Sequence, residues 1–170
     1  MKAIRMVTAL LAIAIGMGGA TAQPGKTLRE QLVGTWEFII AEIVTQDGKK
    51  TFPFGERPQG LLIFTAGGHF SQVHVSGDLP RIASKNRLAG TPEQNTAIVH
   101  GSLALFGTYT IDEAKKTLTF HIVGSTFPNQ QGTSQTRSID KLTEDEFVNT
   151  NPAASRDVPA VASNRYRRAK

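Results

Sequence analysis

The chain has 170 residues, enough for one domain with a packed core, and 39% of them are hydrophobic. It has no cysteine, which excludes disulfides, a thiol nucleophile and thiolate metal sites. The formal net charge of +5 is too small, and too concentrated in the terminal stretch "NRYRRAK", to point to nucleic acid.

The amino terminus reads as a targeting segment. Lys2 and Arg5 precede an apolar run from Met6 to about Met17, and Ala20-Thr21-Ala22 forms an A-x-A cleavage pattern. The apolar run is shorter than the ~20 residues a spanning helix needs. Residues 1–22 are therefore expected to be a secretory signal peptide, and residues 23–170 one exported domain, periplasmic or secreted. Loss of Lys2 and Arg5 lowers the formal net charge to +3. No later apolar stretch is long enough to be an integral membrane segment.

"GKTLREQL" reads as a short helical lead-in. Val33–Thr45 is rich in β-branched and aromatic residues and predicts a strand, ended by the Asp47-Gly48 turn signal. Pro53 limits "KTFPFG" to an edge or irregular strand. "GLLIFT" and "HFSQVHV" predict a strand pair about Ala66-Gly67-Gly68. Residues 76–90 form a long loop without a period. Thr91, Pro92 and Gln94 are an N-cap, a first-turn proline and a capping-box residue, and predict one helix from about Pro92 to Leu103. "LFGTYTID" then pairs across "EAKK" with "TLTFHIVG". After the polar loop "STFPNQQG", the strands "TSQTRSID", "KLTEDEFVNT" and "VASNRYRR" complete the chain. About nine extended segments at short spacing predict an all-β fold, a single antiparallel β-barrel with one inserted helix over a side or mouth.

The stretch "VGTWEFIIAEIVTQDGKK" resembles the opening of the lipocalin-like domain family of bacterial and fungal proteins. The likeness continues through "PFGERPQGLLIFTAGGHFS", "LPRIASKNRLAGTPEQ", "FGTYTIDEAKKTLTFHI" and "STFPNQQGTSQTRSI", in order and over nearly all of residues 23–170. Gly34-Thr35-Trp36 resembles the G-x-W start of true lipocalins. The resemblance implies that Trp36 plugs one end of a lipocalin-like barrel and that a late-strand arginine, Arg165 or Arg167, stacks on it. The chain departs from the lipocalin pattern by placing its helix between strands.

Alternation assigns faces. In "TSQTRSID", Ser134, Thr136 and Ser138 face water, so Gln135, Arg137 and Ile139 point inward. An inward arginine needs a partner. It is either a clamp for an anion or carbonyl, or it is ion-paired with Glu42 or a loop carboxylate, or it sits on the barrel rim. Tyr109 shares an inward face with Ile111. In "HFSQVHV" two readings stay open. The valine-rich face of His69, Ser71, Val73 and Val75 is the core, or else Phe70, Gln72 and His74 are. His121 falls outside, with Thr117 and Thr119. The loop residues Asn129, Gln130 and Gln131 lie near a barrel mouth.

No H-x-H, HExxH, G-x-S-x-G or phosphate-loop context exists, so neither a metal nor a cofactor is expected. The function expected is binding of a small apolar or amphipathic molecule. Phe38, Phe64 and Phe70 supply its wall, and Tyr109, Gln135 and Arg137, with His74, contact its polar group. One alternative is a cofactor-free barrel enzyme of isomerase, cyclase or hydratase type. It would use Tyr109 or His74 for proton transfer and Arg137 for developing negative charge. Another is a structural envelope domain with a filled barrel.

Overall fold

The computed structural model describes residues 25–154 and 158–170; the segment expected to be a signal peptide lies outside the described residues. Two helices, α1 (Leu28–Leu32) and α2 (Pro92–His100), accompany the strands. These are β1 (Gly34–Thr45), β2 (Lys50–Thr51), β3 (Gln59–Phe64), β4 (His69–Val75), β5 (Ser102–Asp112), β6 (Thr117–Ser125), β7 (Ser134–Leu142), β8 (Glu146–Asn151) and β9 (Ala160–Arg168). Among the described residues no helix is long and apolar enough to cross a membrane.

From β3 onward each strand pairs antiparallel with the next, and β9 returns to β1 from Trp36↔Arg168 to Thr45↔Ala160. Eight strands thus close into the expected barrel. The two-residue β2 stays outside the ring, paired only with Ile43 and Val44. The other edge partner of β1 is β3, at residues 34–37. A bulge between Phe38 and Ile40 lets the inward row of β1 run Trp36, Phe38, Ala41, Ile43.

The two poles differ. One carries the tight turns after β3, β5 and β7 and is covered by α1. Thr27 and Glu30 form the capping box of that helix, and its Leu28 and Arg29 amides donate to the Glu113 carboxylate. In the first of these turns Gly68 adopts φ +83°, a left-handed conformation that favours glycine. The other pole carries the long connections, including residues 52–58 and 76–101. There α2 begins with its capping box of Thr91 and Gln94 and buries none of its residues. It ends at His100, earlier than the pattern predicts, because Gly101 caps it and Ser102 and Leu103 already pair with β4. Gly107 stands at a second bulge, where a Cβ would lie 2.0 Å from the His121 carbonyl oxygen.

The core is aromatic. Trp36, Phe38, Phe64, Phe70, Tyr109, Phe120, Phe147 and Tyr166 are all buried within the barrel. Their rings meet edge to face, as Phe64–Tyr109 at 4.9 Å and Phe70–Phe120 at 4.6 Å, or stacked, as Phe147–Tyr166 at 5.6 Å. Trp36 does fill the α1 pole, and its indole N–H donates to the Leu32 carbonyl at 2.8 Å. The arginine upon it is Arg168, however, with its guanidinium carbon 3.8 Å from the ring centroid. Alternation along β9 explains the correction. Asn164, Tyr166 and Arg168 share the inner row, whereas Arg165 and Arg167 face out and pair with Glu146 and Glu37.

Arg168 also donates to the carbonyls of Val33 (2.8 Å), Gln31 (2.6 Å) and Glu144 (3.0 Å), so one side chain ties β9 to α1 and to the β7–β8 turn. Charged hydrogen bonds contribute about 1.5–3 kcal/mol each, and the stacked cation about 1 more. Arg168→Ala is expected to lower stability by about 3 kcal/mol in urea denaturation. Arg165→Ala and Arg167→Ala, which break exposed pairs, should each cost under about 1 kcal/mol. Equal losses for all three would contradict the clamp.

Candidate functional site

Strand β4 decides the site. Phe70, Gln72 and His74 are buried, while Val73 is 41% exposed on the outer wall. The reading in which valines mark the core is therefore wrong here. Leu61, Ile63, Val73 and Phe106 instead form an exposed apolar stripe across β3, β4 and β5, and the barrel interior takes the polar row. A surface cleft of about 400 Å³ opens beside Phe106, lined by Ser71, Val73, Ala104 and Gly124 among others; it holds no titratable side chain.

The inward polar residues meet in the barrel. Across the lumen, the Tyr166 hydroxyl and His74 Nε2 are 3.0 Å apart. His74 lies flat on Phe38, with ring centroids 3.6 Å apart and an interplanar angle of 8°. Burial, reinforced by the nearby Arg137 cation, holds its imidazole well below the ordinary histidine pKa, so it is neutral near pH 7. Burial likewise raises the Tyr166 phenol, so it stays protonated.

Arg137 points inward, with only 7% of its surface exposed. No carboxylate lies within ion-pairing distance of it among the described residues. Glu42, one partner considered from sequence, binds Lys50 instead. Arg137 Nη1 donates to Asn149 Oδ1 at 3.3 Å, Nη2 to Gln135 Oε1 at 3.2 Å, and the guanidinium lies 4.9 Å from the Phe120 centroid. Asn149 Oδ1 also accepts from Asn164 Nδ2 at 3.4 Å. Among the described residues, three buried polar atoms of this interior have no partner within hydrogen-bond distance: Gln72 Oε1, Arg137 Nε and Asn149 Nδ2, the side chains of the last two lying beside the Tyr166 hydroxyl.

Of the residues expected from sequence, Phe38, His74, Gln135 and Arg137 thus gather in or beside this cluster. Phe64 and Phe70 form the wall through Phe120, at 6.0 and 4.6 Å. Tyr109 is buried but stands apart. Its hydroxyl donates to the Thr65 carbonyl at 2.9 Å, and its ring faces Arg29 at 5.4 Å, at the α1 pole. Burial raises its pKa too. It fixes a turn and does not reach the Arg137 cluster. His121 is on the outer wall as expected, between Ser134 and Thr110. In the loop near the mouth, Gln130 is buried and accepts from Ser125, while Asn129 and Gln131 flank it in a 3-10 turn and at its end.

Gln72 belongs to the inward alternative for β4, whereas four contributors escaped sequence reasoning: Phe54, Asn149, Asn164 and Tyr166. Alternation along β8 and β9 carries the signal for the last three, since Phe147 and Tyr166 mark the inner rows. Phe54 has no such signal. It belongs to the irregular link after β2, yet its ring lies edge-on to Phe38 (5.7 Å) and His74 (5.3 Å). It roofs the polar cluster from the loop pole.

Neutral His74 has a pH consequence. Its folded pKa is depressed, so between about pH 6.5 and that lower value the unfolded chain binds a proton that the folded chain refuses. Stability should fall as pH drops below about 6.5, by up to about 1.4 kcal/mol per pH unit. Of the groups facing the ring, Arg137 stays charged and Tyr166 stays neutral throughout this window. Urea denaturation of the parent and of His74→Gln between pH 7 and 5 checks this. The variant should lose most of the slope, and a slope unchanged in it would assign the effect to other groups.

A lipocalin-like domain model matches residues 33–166. Among solved structures, the chain is similar to a redesigned β-barrel, at 12% identity and a TM-score of 0.42, over 84% of this chain and 95% of that one. It is also similar to a de novo designed fluorescence-activating β-barrel, at 13% identity and a TM-score of 0.43, over 85% and 100%. Comparison with curated proteins finds no significant match. With a match that spans every barrel strand but the last two residues of β9, the chain belongs to the lipocalin-like domain family.

Proposed function

We propose that this protein is an exported carrier or receptor for a small amphipathic molecule, held in the barrel against the His74–Tyr166–Arg137–Asn149 cluster. The lipocalin-like barrel fold supports small-molecule binding in general. The single observation that carries the specific site is the incomplete hydrogen bonding of this cluster. Buried polar groups are nearly always satisfied in folded proteins, and three orphans in one interior are the kind of exception that a missing partner explains. The apolar walls come from Phe38, Phe70 and Phe120, and the polar contacts from Arg137, Gln135 and Gln72. Tyr109 has no part in it. Export rests on Lys2, Arg5, the apolar run behind them and Ala20-Thr21-Ala22.

Access runs past Phe54. This ring sits on a connection and not on a hydrogen-bonded strand, so it can swing away without breaking the barrel. The aromatic interior is closely packed, so a ligand enters by displacing side chains. Occupancy then depends on how often the roof is open.

Native mass spectrometry of the protein purified from its own host, together with saturable binding of the neutral dye Nile red, tests the reading. A bound small molecule or a saturable dye site is expected. Phe54→Ala should speed dye association, roughly tenfold if the roofed state holds about nine-tenths of the population. A clean apo mass with no saturable dye would leave a filled, structural barrel.

A further inference from the structure

The interior carries a cation without a counter-ion, and this constrains what can bind there. Arginine cannot shed its proton inside a protein, so Arg137 holds a full positive charge in a setting that strongly disfavours one. The groups around it are neutral: Asn149 Oδ1 at 3.3 Å, Gln135 Oε1 at 3.2 Å, the Tyr166 hydroxyl and the face of Phe120. The six ion pairs found among the described residues do not include it. A buried arginine in a purely structural role is ordinarily neutralised by a carboxylate.

The unpaired atoms have a definite polarity. Arg137 Nε and Asn149 Nδ2 are both donors, both buried, and belong to side chains already joined by a hydrogen bond. Asn149 is locked in that orientation, because its oxygen accepts from both Arg137 and Asn164. Flipping the amide would therefore sacrifice two bonds. Two neighbouring donors and one full positive charge match an acceptor-only, negatively charged group. The third orphan, Gln72 Oε1, is an acceptor two residues from His74 on the same inner row. It suits a donor elsewhere on the same ligand.

We infer that the group completing this interior is an oxyanion of carboxylate type, held by Arg137 Nε and Asn149 Nδ2. The inference rests on the binding reading above and names the chemistry of its ligand. The interior has one formal positive charge, so a monoanion neutralises it. Its source is either the head of an amphipathic monocarboxylate or a small free carboxylate.

Calorimetric titration of the full chain at constant ionic strength, with decanoate, 1-decanol and acetate as probes, separates these cases. Decanoate is expected to bind at least about tenfold more tightly than decanol. Acetate binding as well as decanoate would assign the site to a free small anion and would still support the oxyanion. The discriminating variant is Asn149→Asp, which is isosteric and places the missing negative charge beside Arg137. It should remain folded and lose at least about tenfold more affinity for decanoate than for decanol. Equal binding of decanol and decanoate, with Asn149→Asp indifferent to both, would overturn the oxyanion while sparing the binding reading. No binding of any probe would overturn both.

Discussion

The pairing of β1 with β9 is the constraint on which the molecule depends. A sheet of this length has two open edges unless its first and last strands meet, and an open edge invites other chains. Here the ends meet from Trp36 to Thr45 of β1, and the bulge at Phe38 and Ile40 adjusts the curvature. Arg168 then fastens the seam at one pole, through the Trp36 face and three carbonyls. Closure also creates the interior. Tyr166 can face His74 only because β9 stands across the lumen from β4. The polar cluster is thus a product of ring closure and not of any local motif.

That cluster runs against stability. A barrel lined throughout by Leu, Phe and Val would satisfy packing without leaving Gln72, Arg137 and Asn149 with orphan atoms. The chain instead keeps Arg137, His74, Gln72, Gln135, Asn149, Asn151 and Asn164 facing inward. Local rules are broken at the centre and obeyed elsewhere: both helices are capped, the β5–β6 and β7–β8 turns are tight, and the ion pairs stay outside. Such a concentration of exceptions is where function is expected to reside.

Much of this was legible in the sequence. The strands emerged with their boundaries nearly correct, since β-branched runs and Gly or Asp turns punctuate the chain plainly. The inward set of β7, with Arg137, followed from the small polar residues Ser134, Thr136 and Ser138 on its other face. Strand β4 was ambiguous because both of its faces carry apolar residues. Valine propensity for strands says nothing about which side of the wall is wet, and Val73 is outside. The Trp36 partner was placed one or three residues early because alternation along β9 had not been anchored at Tyr166. Phe54 was illegible, since no periodicity governs an irregular link.

Trp36 is the only tryptophan, and it lies wholly at the α1 pole, beneath Arg168 and 5.6 Å from Phe147. The roof at Phe54 lies at the opposite pole. The protein therefore carries its one indole fluorophore at the seam and none at the mouth. Its emission records whether the ring is fastened, and stays silent while Phe54 moves.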